Sequence, residues 1–205
     1  MELIHVMLDA FAANCYLLTD AGHALVVDPA IDAEVVLERL KKEGCVLDGI
    51  LLTHGHFDHI LSVDELRGAT GAKAYIHESD APMLADGNKN AYRTFFGRDL
   101  ICRPAEAYLT DGQELTVGNG SLRIIHTPGH SQGSVCFLNE ADGWMVTGDT
   151  LFAESYGRCD LWGGSVAKMR ASLQHLRDFD GNLRIYPGHG HSAKLSAALD
   201  NVYYL

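Results

Sequence analysis

Residues 53–59 read Thr53-His54-Gly55-His56-Phe57-Asp58-His59, so three imidazoles and a carboxylate fall within six positions. The residues just before them, Gly49-Ile50-Leu51-Leu52, form an apolar run of the kind that makes a buried strand. The chain must therefore end a strand abruptly and hold several polar rings beside it. Packing alone does not explain such a juncture, because buried polar groups without partners are costly. Imidazole with carboxylate suits zinc, iron or manganese, and suits thiolate-preferring ions less well.

Three further junctures have the same form. His130 lies in Thr127-Pro128-Gly129-His130-Ser131, Asp149 in Thr147-Gly148-Asp149-Thr150, and His189 in Tyr186-Pro187-Gly188-His189-Gly190. Each follows a short apolar run, and each is flanked by Gly or Pro, which let the backbone turn tightly and approach an ion. Four strand ends thus offer seven candidate ligands: His54, His56, Asp58, His59, His130, Asp149 and His189. Seven are too many for one four-coordinate ion and suit two ions that share a carboxylate. His5, His23, His77, His126, His175 and His191 lack such a context. His126 is expected to face the core or orient its loop, and His191 to be exposed or structural.

A chain of 205 residues is read as one domain, 1–205, with room for a substantial core. The net charge of −11 argues against a nucleic-acid footprint. The start, Met1-Glu2-Leu3-Ile4-His5, lacks a basic segment leading into a long apolar one, and no apolar run approaches about 18 residues. Neither a leader nor a membrane span is therefore expected. Five cysteines stand at positions 15, 45, 102, 136 and 159, with no C-x-x-C pair, which fits reduced thiols in the cytoplasm. Cys159 is expected to be a bystander thiol in a site loop.

Periodicity predicts three short strands over 2–28, a helix over 32–43 ended by Gly44, and a strand over 46–53. A helix over 60–69, a strand over 73–76 and a helical stretch near 79–86 follow. Segment 87–105 carries Tyr92, Phe95 and Phe96 and reads either as a lid or as a surface crossover packed on the core. Residues 106–148 are β-rich, and 149–164 form a glycine-containing loop. The helix over 165–178 has Val166, Met169, Leu173 and Leu176 on a core-facing stripe. A strand over 183–187 and a helix from about 192 close the chain. By itself this pattern says only α/β or α+β.

The order T-H-x-H-x-D-H, then H, D and H, resembles the metallo-β-lactamase superfamily over nearly the whole chain. Within it the chain is most similar to the short bacterial glyoxalase II-like hydrolases. That likeness also draws on Asn14-Cys15-Tyr16-Leu17, Gly148-Asp149-Thr150-Leu151-Phe152 and Gly157-Arg158. The resemblance implies a four-layer αββα sandwich with metals at one edge between the sheets. It implies that His54, His56 and His130 hold one ion, Asp58, His59 and His189 a second, and that Asp149 bridges them. The ions would be two divalent metals, zinc before iron or manganese. The implied reaction is hydrolysis of S-lactoylglutathione or a related acyl thioester by a hydroxide shared between the ions. Asp58 and Asp149 are the catalytic carboxylates, and Arg158 is the candidate substrate contact.

Two departures bear on the substrate. The longer glyoxalase II enzymes carry a C-terminal helical region that helps bind glutathione, and this chain ends soon after its His189 loop. They also carry an aromatic pair after the Gly-Arg, where this chain has Cys159-Asp160-Leu161. Around Gly157-Arg158-Cys159-Asp160 the chain also resembles the persulfide dioxygenases of the superfamily. Those enzymes use one iron held by counterparts of His54, of His56 or His130, and of Asp149. The expected partner is a small-molecule thioester, with no nucleic acid and no membrane. β-Lactam hydrolysis is not expected of a cytoplasmic protein.

Overall fold

A computed structural model describes residues 1–6 and 13–202 and places twelve strands in two six-stranded sheets. The first sheet runs, in spatial order, β1 (Glu2–His5), β2 (Tyr16–Asp20), β3 (His23–Val27), β4 (Val46–Leu51), β5 (Lys73–His77) and β6 (Ala107–Leu109). The second contains β7 (Glu114–Val117), β8 (Gly120–His126), β9 (Val135–Asn139), β10 (Trp144–Gly148), β11 (Arg184–Pro187) and β12 (Ala193–Lys194), which lie side by side in sequence order. The helices are α1 (Ala33–Glu43), α2 (Val63–Thr70), α3 (Ala81–Leu84), α4 (Tyr92–Phe96), α5 (Val166–Leu176) and α6 (Leu195–Asn201).

Pairing follows connection length. Short links make β1–β2–β3 and β7–β8–β9–β10 antiparallel. The parallel pairs β3–β4 and β4–β5 are joined through α1 and α2, and the parallel pair β10–β11 through α5, because a parallel return needs a crossover. Among the described residues, no helix is long and apolar enough to cross a membrane.

Strand alternation sorts the apolar residues into three cores, and three cores require four layers. Leu17, Ala24, Val26 and Ile50 point away from the second sheet and meet Val36 and Leu40 of α1 and Leu66 of α2. Their strand neighbours Leu18, Leu25, Val27 and Leu51 point inward and meet Leu122, Ile124, Val135, Phe137 and Val146. Ile125, Cys136, Leu138 and Met145 project from the other side of the second sheet onto Met169 and Leu173 of α5 and Leu199 of α6. This is the expected αββα sandwich.

Helix α1 shows how local chemistry sets the boundaries. The Asp32 carboxylate accepts from Glu34 N–H at 3.0 Å, and Gly44 closes the helix in the left-handed region at φ 66°. Asp32→Ala is expected to cost about 1 kcal/mol. In urea unfolding it should lower the midpoint and leave the slope unchanged; an unmoved midpoint would mean that the cap contributes nothing.

Several boundaries differ from the sequence reading. In place of a helix from residue 60, a 3₁₀ turn at Phe57–His59 swings Asp58 and His59 around before α2 begins at Val63. The stretch near 79–86 is a 3₁₀ turn, Glu78–Asp80, running into α3. The last helix starts at Leu195, because residues 193–194 pair with β11. On α5, Met169, Leu173 and Leu176 are buried, but Val166, in the first turn at the edge of the stripe, is 51% exposed. Segment 87–105 contains α4, whose Phe95 and Phe96 are exposed.

Candidate metal centre

The loops that leave β4, β8, β10 and β11 meet at one end of the sandwich. His54 and His56 follow β4, and the 3₁₀ turn adds Asp58 and His59. His130 follows β8, Asp149 follows β10 and His189 follows β11. All seven predicted residues come together there. The potential ligand atoms of His54, His56 and His130 lie within 4.8 Å of one another, as do those of Asp58, His59 and His189 and those of His54, His59 and Asp149. Asp149 stands between the two His-rich groups. Its Oδ1 is 3.4 Å from His59 Nε2, and its Oδ2 is 3.5 Å from His130 Nε2 and 3.6 Å from His189 Nε2.

The partners on the far side of each ring decide which nitrogen faces inward. His130 Nδ1 is 2.7 Å from the Arg158 carbonyl, which can only accept, so Nδ1 carries the proton and Nε2 is a lone pair. His59 Nδ1 likewise donates to Asp28 Oδ2 at 2.9 Å. Thr53 Oγ1 donates to the same Asp28 oxygen at 2.6 Å, so it can only accept from His54 Nδ1 at 3.0 Å. The Nε2 atoms of His54 and His130 therefore present lone pairs to a common space, and the Nε2 of His59 faces the Asp149 carboxylate beside it. Those of His54 and His130 face each other at 3.2 Å with no proton between them.

Such a set fits a cation. His59 Nε2 and Asp149 Oδ1 are buried without a hydrogen-bond partner, which a bound ion would correct, and His56 turns its Nδ1 to within 2.7 Å of His130 Nε2. Burial, reinforced by the neighbouring imidazoles, pushes His54 well below the ordinary histidine range, and burial with His130 pushes His56 down to about 3. Both rings are thus neutral donors near pH 7. Burial opposes charge on His59, but the carboxylates of Asp149, Asp28 and Asp58 outweigh it and raise its pKa well above the usual value. Burial also opposes the charge on Asp149, yet His59, His130 and His189 hold its carboxyl far below the usual range. The same competition, with His59 and His189 prevailing, lowers Asp58. The field around these carboxylates favours positive charge.

Glycines set how closely the loops approach. A Cβ at Gly188 would collide with Asp149 Oδ1 and come within 2.8 Å of His59 Cε1. One at Gly157 would strike the Asp149 carbonyl and come within 2.9 Å of His130 Nδ1. The Asn14-Cys15-Tyr16 motif holds the His189 loop: Asn14 Nδ2 donates to the Pro187 and Gly190 carbonyls, each at 2.9 Å, and Tyr16 Oη donates to Pro187 at 2.7 Å.

Two buried acids that the sequence reading passed over organise the rest. Asp28, at a left-handed φ of 49°, accepts from Thr53 N–H at 2.8 Å as well as from Thr53 Oγ1 and His59. Asp80 accepts from Gly55 N–H at 3.3 Å, Ser131 Oγ at 2.5 Å and Gly133 N–H at 2.7 Å, tying the β4 loop to the His130 loop. The only sequence signal for Asp28 is an acid placed directly after the apolar run Ala24–Val27.

A cavity of about 380 Å³ opens over the cluster, lined by His56, Asp58, Asp149 and His189 and by Phe57, Phe95, Phe152 and Leu161. Arg158 also lines it, but pairs with Asp160 through two bonds of 2.6 and 2.7 Å. Burial and the neighbouring Asp160 raise the Cys159 thiol, the setting of an unreactive cysteine. His126 Nε2 reaches the Gln132 carbonyl at 3.0 Å and its ring stacks on His77 at 4.2 Å, so it braces the loop after His130.

The family model of the metallo-beta-lactamase superfamily matches residues 8–189. The chain belongs to the metallo-beta-lactamase superfamily. Among its superfamily relatives, the probable metallo-hydrolase YqgX of Bacillus subtilis is 32% identical over 179 residues, covering 87% of this chain and 85% of YqgX. The solved structure of BLEG-1, a B3 metallo-beta-lactamase, superposes with a TM-score of 0.90 at 33% identity, covering 97% of each chain. TTHA1623, solved in a di-iron-bound form, superposes with a TM-score of 0.84 at 32% identity, covering 95% of this chain and 96% of that one. These superfamily relatives place the chain among metallo-hydrolases.

Proposed function

We propose that the protein is a two-metal hydrolase that cleaves an acyl thioester, S-lactoylglutathione or a related compound. The observation that carries this reading is Asp149, whose two oxygens lie between the two His-rich groups. His54, His56 and His130 would hold one divalent ion, Asp58, His59 and His189 the other, and Asp149 would be shared. Zinc is the first choice for this nitrogen and oxygen set, with iron or manganese as alternatives. The relative TTHA1623, solved with two irons, supports a pair of ions. Such a pair supplies water acidified to a pKa of about 7 and a Lewis acid for a carbonyl oxygen.

The remaining roles belong to the chain. Hydrolysis bonds the water oxygen to the acyl carbon and breaks the C–S bond, and the sulfur leaves with the electron pair. Asp58 borders the cavity, with Oδ2 3.3 Å from His189 Nε2, and is placed to take the proton that water releases. Apart from the seven candidate ligands, the only ionisable side chain among the described residues lining the cavity is Arg158, already engaged by Asp160. The wall thus offers no separate acid for a leaving group. A thiolate, with a parent pKa of about 8.5, needs none, which favours a thioester over an amide.

The second reading is a one-iron persulfide dioxygenase, supported by the placement of Gly157 and Arg158 in the cavity wall. The completeness of the Asp58, His59 and His189 group favours the hydrolase. Metal-replete protein is expected to hydrolyse S-lactoylglutathione or a simple acyl thioester, to lose turnover on chelation and to regain it with zinc. No thioester turnover with both ions bound, combined with oxygen uptake on a persulfide, would replace this reading with the dioxygenase. Turnover confined to a β-lactam would replace it with the activity named for BLEG-1.

A further inference from the structure

Phe57 sits between the candidate ligands His56 and Asp58, yet its ring turns away from them and packs on segment 92–96. Its centroid lies 5.5 Å from Tyr92, 5.6 Å from Phe95 and 5.5 Å from Phe96. Phe95 remains 53% exposed and lines the cavity beside Phe57, Phe152 and Leu161. Ala91, which begins this short helix, is buried in the same wall in a left-handed conformation, φ 68°, which a non-glycine residue adopts at a cost. An exposed aromatic beside a concave site, held by a strained backbone, has the character of a ligand wall rather than of packing.

The charge of the cavity points the same way. Among the described residues lining it, Arg158 is the one Lys or Arg, and its guanidinium is occupied by Asp160. Its other charged groups are the acids Asp58 and Asp149. An anionic acyl group would therefore meet no free cation outside the candidate metal ligands. A small hydroxyacyl group such as lactoyl would leave the aromatic wall uncovered.

We infer that Phe57, Phe95, Phe152 and Leu161 form a subsite for an apolar acyl group, so that the preferred substrates are aliphatic or arylalkyl acyl thioesters. This inference rests on the thioesterase reading above and narrows it. Segment 92–96 thereby sets specificity without supplying any reacting atom.

The test is a series of thioesters of one small thiol, N-acetylcysteamine, carrying acetyl, lactoyl, hexanoyl, phenylacetyl and succinyl groups. With metal-replete protein, kcat/KM should rise about three- to fourfold per added methylene, and on the order of 100-fold from acetyl to hexanoyl. Succinyl and lactoyl should fall below hexanoyl. Phe95→Ala, at an exposed position where folding is not at stake, should shrink the hexanoyl-to-acetyl ratio at least about tenfold. A flat series, a preference for lactoyl or succinyl, or an unchanged ratio in Phe95→Ala would overturn the subsite. If no thioester is cleaved, the thioesterase reading falls, and equilibrium binding of hexanoate against lactate decides the subsite. Tighter hexanoate binding that Phe95→Ala weakens would retain it, and equal affinities would overturn it.

Discussion

Replacing Asp149 with alanine is expected to deprive the protein of both ions at once and to lower turnover by on the order of 10³-fold or more. The reason is its position. One oxygen lies 3.4 Å from His59 Nε2 and the other 3.5 Å from His130 Nε2, so the side chain belongs to both groups. Without it the imidazoles facing it remain, but the negative charge they share is gone. A thermal readout separates this from simple damage to the fold. Metal at a thousandfold over its dissociation constant stabilises the native state by about 4 kcal/mol. For a chain of this size that corresponds to roughly 8–16 °C in melting temperature. Chelator should lower the melting temperature of the parent by about that amount and barely move Asp149→Ala. A variant that retains two tightly bound ions, counted by elemental analysis, would remove Asp149 from its bridging role.

Asp28→Ala is expected to be the most destabilising single change near the site. Asp28 is 1% exposed and accepts from Thr53 N–H, Thr53 Oγ1 and His59 Nδ1. Removing the carboxylate strands three buried donors, and each unmet donor costs about 1–3 kcal/mol. Relief of the left-handed backbone offsets little of this, because alanine is strained there too. We expect a loss of about 3–5 kcal/mol, read from urea unfolding of the metal-free protein. Asp28→Asn should fold better but weaken metal binding about 10- to 100-fold, since its amide can turn an N–H toward His59 and disturb the tautomer that leaves Nε2 bare. Equal urea midpoints for Asp28→Ala and the parent would show that the network contributes nothing to stability.

The seven candidate ligands were legible because each sits just beyond the end of an apolar run, His130, Asp149 and His189 among them beside Gly or Pro, a pattern that needs no knowledge of what lies across the fold. Helix α1 was legible for the same reason, since Asp32 and Gly44 mark its ends within one local stretch. Asp28 and Asp80 were not legible. Each is a lone acid in sequence, and its partners lie 25 to 53 residues away, brought near only by the pairing of β3 with β4 and the stacking of the two sheets. The sequence also left segment 87–105 undecided between lid and crossover. An aromatic side chain on a short helix can turn to core or to solvent, and here Phe57 packs on Phe95 and Phe96, and Phe95 reaches the cavity wall. Arg158 was legible as a residue of the site, whereas its ion pair with Asp160 shows only in the fold.

The candidate ligands are divided between the sheets: residues 54–59 follow a strand of the first, and His130, Asp149 and His189 follow strands of the second. During synthesis, the His54–His59 loop emerges 130 residues ahead of His189. Until His130 follows, the proposed site has four of its seven candidate ligands and none from the second sheet. The full set forms only where the two sheets stack and Asp80 ties the β4 loop to the His130 loop. A site completed only by residues of both sheets would take its ions from those at hand when it closes, so a culture supplied with a different metal during expression should yield a differently loaded protein.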